Sequence, residues 1–357
     1  MATAQNTLVR SWSPSHDLRK FTAVATTTLF GFLVLLIFLL PLGYMTVTSG
    51  KSLQQVVDPN SLLLPNSPDT FTYEGKAYSI YQVPFPDGST RSLALVEPGR
   101  AASKFIDPKD PAAGLIPWEG KWRTLKPSMH FDPTWSNFAD AWKAINMGIL
   151  FRNTFIIAIA GTIGTLLSSV CVAYGFARFR IPHIDIIFLV LIATIILPTQ
   201  VTLIPTYAFF RLIGWGGTWW PLIIPHFFAN AYNVFLLRQY FRGIPRDLDE
   251  SAMIDGASPL RILLSVIIPQ SFPALLAVGM FHFFWAWNDF FTPLVYLQGK
   301  EDLYTISIGL TQFNNIYATQ PGLMQAAAIM AVALPVIIFF LAQRVFMQGI
   351  VITGVEK

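Results

Sequence analysis

Six mostly apolar stretches punctuate this chain, and the segments between them hold nearly all of its charges. A helix needs about 20 such residues to cross a bilayer, so each stretch is predicted to be a transmembrane helix. They run from Phe21 to Thr46, Thr154 to Phe176, Ile184 to Phe210, Thr218 to Leu237, Pro269 to Leu297 and Met324 to Phe346. The pattern predicts an all-α membrane protein with tails at 1–20 and 347–357, a first helix at 21–46, a long loop at 47–150 and a helical core at 151–346. The first stretch is too long for a signal-peptide core, and no A-x-A-like site follows it, so it is expected to be a retained anchor.

Composition supports this reading. The chain has 357 residues, of which 53% are hydrophobic and 12% charged, against about 25% charged in soluble domains. The net charge of +4 comes from Lys and Arg flanking apolar runs. No basic stripe with interleaved aromatics occurs, which argues against a nucleic-acid partner. Arg10, Arg19, Lys20, Arg178, Arg180, Arg238, Arg242, Arg246, Arg261, Arg344 and Lys357 all fall on one side of the predicted spans. The positive-inside rule makes that side, and both termini, cytoplasmic. The lone cysteine, Cys171, excludes an intrachain disulfide.

The 47–150 segment then lies outside. It is rich in Pro, Asp, Gly and Ser. Phe71 to Val83 alternates apolar and polar residues, and Asp87-Gly88 marks a turn before Leu93 to Val96. A small, partly β extracytoplasmic domain is expected. Trp135, Phe138, Trp142 and Ile145 recur at near-helical spacing and predict an interfacial helix over Trp135 to Leu150.

The loop from Ile244 to Pro269 reads as two short helices joined at a corner. Pro245 suits a first helical turn, and Asp247, Asp249 and Glu250 complement the positive end of the helix dipole. Gly256 fits a left-handed stop, Ser258 an N-cap, and Pro259 the first position of a helix continuing into the fifth span. Within the spans, Thr199, Gln200, Thr202, Asn230, Asn233, Asn288 and Asp289 are candidate pathway residues, because polar groups in hydrocarbon are costly. His282, alone on an aromatic face, reads as a packed residue. No phosphate-binding G-x-x-x-x-G-K-[ST] loop, metal spacing or catalytic pair occurs, so no enzyme is read here.

The loop resembles the EAA loop of permease subunits in ATP-binding cassette (ABC) importers. Glu250, Ala252, Gly256 and Pro269 match its pattern, while Ser251, Val266 and Ile268 depart conservatively. Asp255-Gly256-Ala257 resembles the sugar-importing, maltose-type branch. Similar signatures are Asn153-Thr154, the YGFARF run ending at Phe179, Leu197-Pro198, Pro205-Thr206-Tyr207, Leu236 to Gln239, Trp287-Asn288-Asp289 and Phe346 to Gly349. The resemblance covers the first span and everything from about Phe131 onward, leaving Ser49 to His130 as an insertion.

This resemblance implies a six-helix type I permease forming half of a pathway for a sugar or sugar-like solute. Glu250, Ser251, Ala252, Asp255, Gly256 and Pro269 would couple it to a cytoplasmic ATPase dimer, which would hold ATP and Mg²⁺. A second permease, membrane lipid and an extracytoplasmic solute-binding protein are the further partners, with Gln312, Asn314, Asn315 and Tyr317 expected to face the binding protein. An ion-driven secondary transporter and a membrane scaffold are the alternatives. The first would favour midplane charges and repeated halves, and neither is clear in this sequence.

Overall fold

The computed structural model describes residues 14–58, 61–313 and 320–351, without the side chains of 14–17, 199–200 and 345–351. Among these residues, three single helices are long and apolar enough to cross a membrane: Leu18–Ser49, Met147–Arg178 and Pro321–Arg344. Two bent pairs bring the count to at most five, Ile184–Ile196 with Val201–Leu212 and Pro259–Gln270 with Phe272–Asn288. The sequence predicted six.

Proline chemistry accounts for the differences, because proline lacks the N–H that would continue a helix. The predicted fourth span is a short helix at Trp220–Ile223, a 3₁₀ turn at Ile224–Phe227 containing Pro225, and a new helix at Ala231–Gly243. Asn230 starts that new helix by accepting from the Tyr232 and Asn233 N–H groups at 2.9 and 3.3 Å. The third span breaks at Leu197, with Pro198 capping Thr199–Leu212. The fifth ends at Asn288, and a separate helix follows at Phe291–Tyr296.

Helix Met147–Arg178 is the central post, packing against Ala231–Gly243 and Phe272–Asn288. Small residues let the backbones approach closely. A Cβ on Gly164 would lie 2.5 Å from Phe227 Cδ2. The first helix, Pro14–Ser49, meets the bundle through the last helix, Pro321–Val351. It leaves Phe21, Phe30, Phe38 and Leu40 exposed, as expected of a helix bathed in lipid.

The segment between the first two long helices is a β unit. Strands β1 (Asn66–Pro68) and β8 (Met129–Phe131) pair with each other. A second sheet runs in order through β2 (Thr70–Tyr73), β3 (Lys76–Pro84), β4 (Thr90–Glu97), β5 (Ala102–Ile106) and β6 (Ile116–Glu119), with β7 (Lys126–Pro127) beside β3. All these pairings are antiparallel. Val83, Leu93, Leu95 and Phe105 form its core, each such buried side chain contributing about 1.5–3 kcal/mol.

Asp69 fastens the two sheets together. Its carboxylate accepts from Ser128 Oγ and lies 2.7 Å from His130 Nδ1. The Ser128 hydrogen bond is the main reason its carboxyl is held below the ordinary 3.8. A depressed carboxylate pKa stabilises above the unfolded value and ceases to do so as pH falls through the folded one. Acidification below about pH 3.8 is therefore expected to loosen this clasp, and Asp69→Asn should loosen it at neutral pH. Faster proteolysis between Asn66 and Phe131 is the readout.

A buried amide joins the end of the first helix to the helix that follows the β unit. Asn137 Nδ2 donates to the carbonyls of Ser49 and Lys51 at 2.8 and 2.9 Å. Gly322 of the last helix sits against the same point, where a Cβ would lie 2.9 Å from the Lys51 carbonyl oxygen. The predicted interfacial helix is shorter than expected. It covers Ser136–Ala144 and ends before Asn146, whose left-handed φ of 49° separates it from the central post.

Candidate functional site

The Ile244–Pro269 loop carries the most specific geometry. Helix Arg246–Ile254 begins after Pro245, which occupies the N-cap rather than the first helical turn. It closes in a Schellman arrangement: Gly256 N–H donates to the Met253 carbonyl at 3.0 Å and Ala257 N–H to the Ala252 carbonyl at 2.9 Å. That closure places Gly256 at φ +78°, where a residue with a Cβ is strained. Ser258 then accepts from Arg261 N–H at 3.4 Å, with Pro259 at the first helical position.

The continuation differs from the expected straight run into the fifth span. Pro259–Ile262 passes into a π-helical turn at Leu263–Ile267 and a short Ile268–Gln270 helix. The chain then turns by 82° before Phe272–Asn288. Pro269 and Pro273 flank the corner and remove two amide donors there, and π turns of this kind gather at functional sites. The loop thus meets the fifth span at an elbow, not along one axis.

A buried ion pair fixes the loop to the post. Arg178, the last residue of Met147–Arg178, places Nε 2.8 Å from Asp249 Oδ2, with the side chains 5% and 7% exposed. The pair is a close charge contact whose N–H is misaligned for a hydrogen bond, and Asp249 Oδ1 has no hydrogen-bond partner among the described residues. Arg178 Nη2 donates instead to the Ile244 carbonyl at 2.9 Å. Tyr174, one turn earlier, donates its hydroxyl to the Pro259 carbonyl at 3.2 Å. The start of the loop and the start of its second helix are therefore held by one helix. Val170, Tyr174, Leu237, Phe241, Ile262 and Ile267 belong to the apolar cluster beneath it.

Sequence reasoning missed this pair, treating Asp249 as one of three acids serving the helix dipole. Asp249 lies three residues before Ala252, on the side of the helix that also packs inward, and that spacing was the available signal. Glu250, Ser251, Asp255 and Gly256 face solvent. So do Leu248, Met253 and Ile254, the last 87% exposed.

The pathway candidates separate into groups. Asn230 and Asn233 line a cavity of about 310 Å³ together with His226, Tyr232, His282 and Trp285. Asn288 is exposed and donates to the Phe284 carbonyl of its own helix at 2.8 Å. Asp289 accepts from Thr292 N–H at 3.2 Å, starting the next helix, and lies one turn beyond Trp285, outside the cavity lining. The Thr202 carbonyl accepts from Thr206 Oγ1 at 2.8 Å. Thr199 and Gln200 begin the helix after the break. Gln312 is exposed, whereas Asn314, Asn315 and Tyr317 lie outside the described residues. No group of three or more His, Cys, Asp or Glu able to hold a metal occurs among the described residues.

Asn153 and Thr154, singled out as family-like, tie the post to the segment before the last helix. Asn153 Nδ2 donates to the carbonyls of Asp302 and Tyr304 at 2.9 and 3.0 Å, and Thr154 Oγ1 accepts from Ile306 N–H at 2.9 Å.

Known proteins resemble this chain in sequence and in fold. Residues 164–351 match the family described as binding-protein-dependent transport system inner membrane component. The osmoprotective compounds uptake permease protein GgtD of Synechocystis sp. is 31% identical over 241 residues, covering 67% of this chain and 80% of that one. The alpha-glucoside transport system permease protein AglG of Rhizobium meliloti is 29% identical over 232 residues, covering 62% and 60%. A chain from the crystal structure of a bacterial ABC transporter involved in import of the acidic polysaccharide alginate shares the fold. It has a TM-score of 0.64 and 20% identity, over 93% of this chain and 98% of that one. This chain belongs to the binding-protein-dependent inner-membrane family: it is a multi-pass ABC importer permease, a non-catalytic transport subunit with a type I permease fold.

Proposed function

We propose that this permease forms half of the translocation pathway for a sugar or sugar-like solute and receives the motion of a cytoplasmic ATPase through helix Arg246–Ile254. The carrying observation is the two-sided character of that helix. Its inner side is pinned to the post by the buried Arg178–Asp249 pair. Its outer side presents Leu248, Met253 and Ile254 beside the exposed Glu250. Exposed apolar side chains rimmed by polar groups mark docking surfaces.

In this reading six crossings occur, the broken Trp220–Gly243 segment being the extra one, and both termini are cytoplasmic. The β unit lies outside, beside a second permease or a solute-binding protein. Gln312 and the neighbouring Asn314, Asn315 and Tyr317 face the binding protein, and lipid covers the first helix. The ATPase dimer, not this chain, holds ATP and Mg²⁺. The sugar class rests on Asp255-Gly256-Ala257 and on relatives such as the alpha-glucoside permease.

Co-purification tests the reading. The chain purified alone should hydrolyse no ATP, and it should retain its ATPase when both are co-expressed. Met253→Asp with Ile254→Asp should release the ATPase while the chain stays in the membrane, since two new charges would be buried in the contact. Unchanged retention contradicts the docking role.

A further inference from the structure

The exposed apolar side chains of the β unit are confined to one end of it. Between Asn66 and Ser128 no Val, Leu, Ile, Met, Phe, Tyr or Trp is exposed. At the foot, by contrast, Leu62, Leu63 and Leu64 are 56, 78 and 56% exposed, Phe131 66% and Trp135 70%. Single apolar residues on a surface need no explanation, but a cluster this concentrated marks a contact.

The foot is fastened to the end of the first helix. Gly50 follows Pro14–Ser49, and a Cβ there would lie 3.0 Å from Pro65 Cγ and 3.5 Å from Pro133 Cβ. Thr134 N–H donates to the Gly50 carbonyl at 2.7 Å, and Asp132 N–H to the Pro65 carbonyl at 3.3 Å. Strands β1 and β8, which enter and leave the unit, pair Asn66 with Phe131. Lys51 Nζ donates to the Leu62 carbonyl at 2.7 Å and so holds the leucine loop against the same point. The three segments that carry the exposed side chains therefore lie around one residue, the first beyond the helix.

Helix length sets the depth of that residue. Leu18–Ser49 has 32 residues, about 48 Å at 1.5 Å per residue. A bilayer with its headgroups is about 40–45 Å thick, and an average tilt of about 20° brings the two lengths together. With Arg19 and Lys20 at the headgroups of one leaflet, Gly50 sits at the headgroups of the other. Tryptophan is favoured at this depth. Trp142, seven residues after Trp135 and partly exposed, lies on the same side of the helix that leaves the foot.

We propose that the foot of the β unit is seated in the lipid of that leaflet, with Leu62, Leu63, Leu64, Phe131 and Trp135 at the boundary between headgroups and acyl chains. Three segments in lipid, besides the covalent link to the helix, then restrain the unit from swinging over the membrane. The patch continues the apolar surface of the first helix, whose Leu40, Leu42 and Tyr44 are exposed just below it. A binding protein that docks and leaves in each cycle would return three adjacent leucines to water. Contacts that open and close are on the whole no more apolar than ordinary surface, which fits the sheets beyond the foot and not the foot itself. The seat in lipid goes beyond the coupling role and rests on one part of the importer reading, that the first helix crosses the bilayer.

Spin labelling of the complete transporter in lipid nanodiscs tests this. With Cys171→Ser removing the lone cysteine, a nitroxide is attached at Leu62→Cys, Leu63→Cys and Leu64→Cys in separate samples, so that one site that fails to assemble leaves two. Lys109→Cys, exposed between β5 and β6, is the reference. Paramagnetic resonance reads collisions with oxygen, which concentrates in lipid, and with a water-soluble nickel chelate. Oxygen collisions several-fold higher and nickel collisions several-fold lower at the leucine sites than at the reference are expected. Nickel collisions equal to the reference would put the foot in water, and loss of collisions with both reagents would put it under protein; either result overturns the proposal. In sealed vesicles, a membrane-impermeant maleimide should reach Lys109→Cys from one side only and Arg19→Cys only from the other. If that holds and the leucine sites are wet or covered, only the seat in lipid falls. If both cysteines react from the same side, the crossing falls and the seat with it.

Discussion

Asp249→Ala is expected to cost about 3–5 kcal/mol and to abolish ATP-driven uptake. Removing the carboxylate leaves the Arg178 guanidinium buried without its counter-ion, and breaking one half of a buried pair is far more damaging than lacking the pair. Both side chains are under a tenth exposed, so water cannot take the place of the lost partner. The loop helix would come free of the post at its first turn, leaving Tyr174 and the Ile244 carbonyl contact to hold it. Asp249→Asn keeps the shape and an acceptor, and should fall between wild type and alanine. Replacing both partners with apolar residues, as in Arg178→Met with Asp249→Leu, should recover most of the stability. Thermal unfolding of the purified chain measures the first effect and uptake per assembled complex the second. Glu250→Ala is the contrasting variant. Glu250 is exposed and makes no ion pair among the described residues, so stability should hold while ATPase docking weakens.

Gly256→Val should uncouple the transporter while leaving its assembly largely intact. The Schellman closure requires φ near the observed +78°, a region that β-branched residues strongly resist. The strain is about 1–3 kcal/mol. The backbone carries this strain, since apart from the adjacent residues nothing lies within 4 Å of where the new Cβ would sit. Relief of that strain would reopen the Met253 and Ala252 bonds and change the angle between helix Arg246–Ile254 and the elbow at Ser271. The expected result is an assembled complex whose ATP hydrolysis no longer drives uptake. Gly256→Asn is the informative control, since asparagine tolerates the left-handed conformation, and it should transport far better than the valine variant. Equal uptake in wild type and Gly256→Val would remove the corner from the coupling path.

Much of this was legible in the sequence, and the parts that were not share a physical cause. Length and apolarity located the first helix, the post and the last helix, because a membrane demands about 20 apolar residues whatever the tertiary context. Hydropathy does not report helix continuity. Pro198, Pro225, Pro269 and Pro273 all sit in apolar runs, yet the helices break, turn or bend beside each of them. The corner at Gly256 and the cap at Ser258 were readable because each depends on a few consecutive residues.

The ion pair was not readable in that way. Arg178 and Asp249 are brought together by packing of the post against the loop, and a lone Arg at a span end carries the same topological signal whether or not it is buried. In the sequence Asn230 and Asn233 read only as polar residues within a span. The break that makes Asn230 a helix cap and the cavity that Asn233 lines become visible only in three dimensions.

If helix Arg246–Ile254 transmits ATPase motion to the spans, a reversible cross-link at that helix should stop transport. With Cys171→Ser removing the lone native cysteine, Ser251→Cys should form a disulfide with a cysteine placed in the facing groove of the ATPase. The prediction is that uptake by the assembled complex stops when the bond locks one end of the ATPase stroke and returns when it is reduced. Absence of any cross-link to the ATPase during turnover, or full uptake with the bond intact at every groove position, would rule out transmission through this helix.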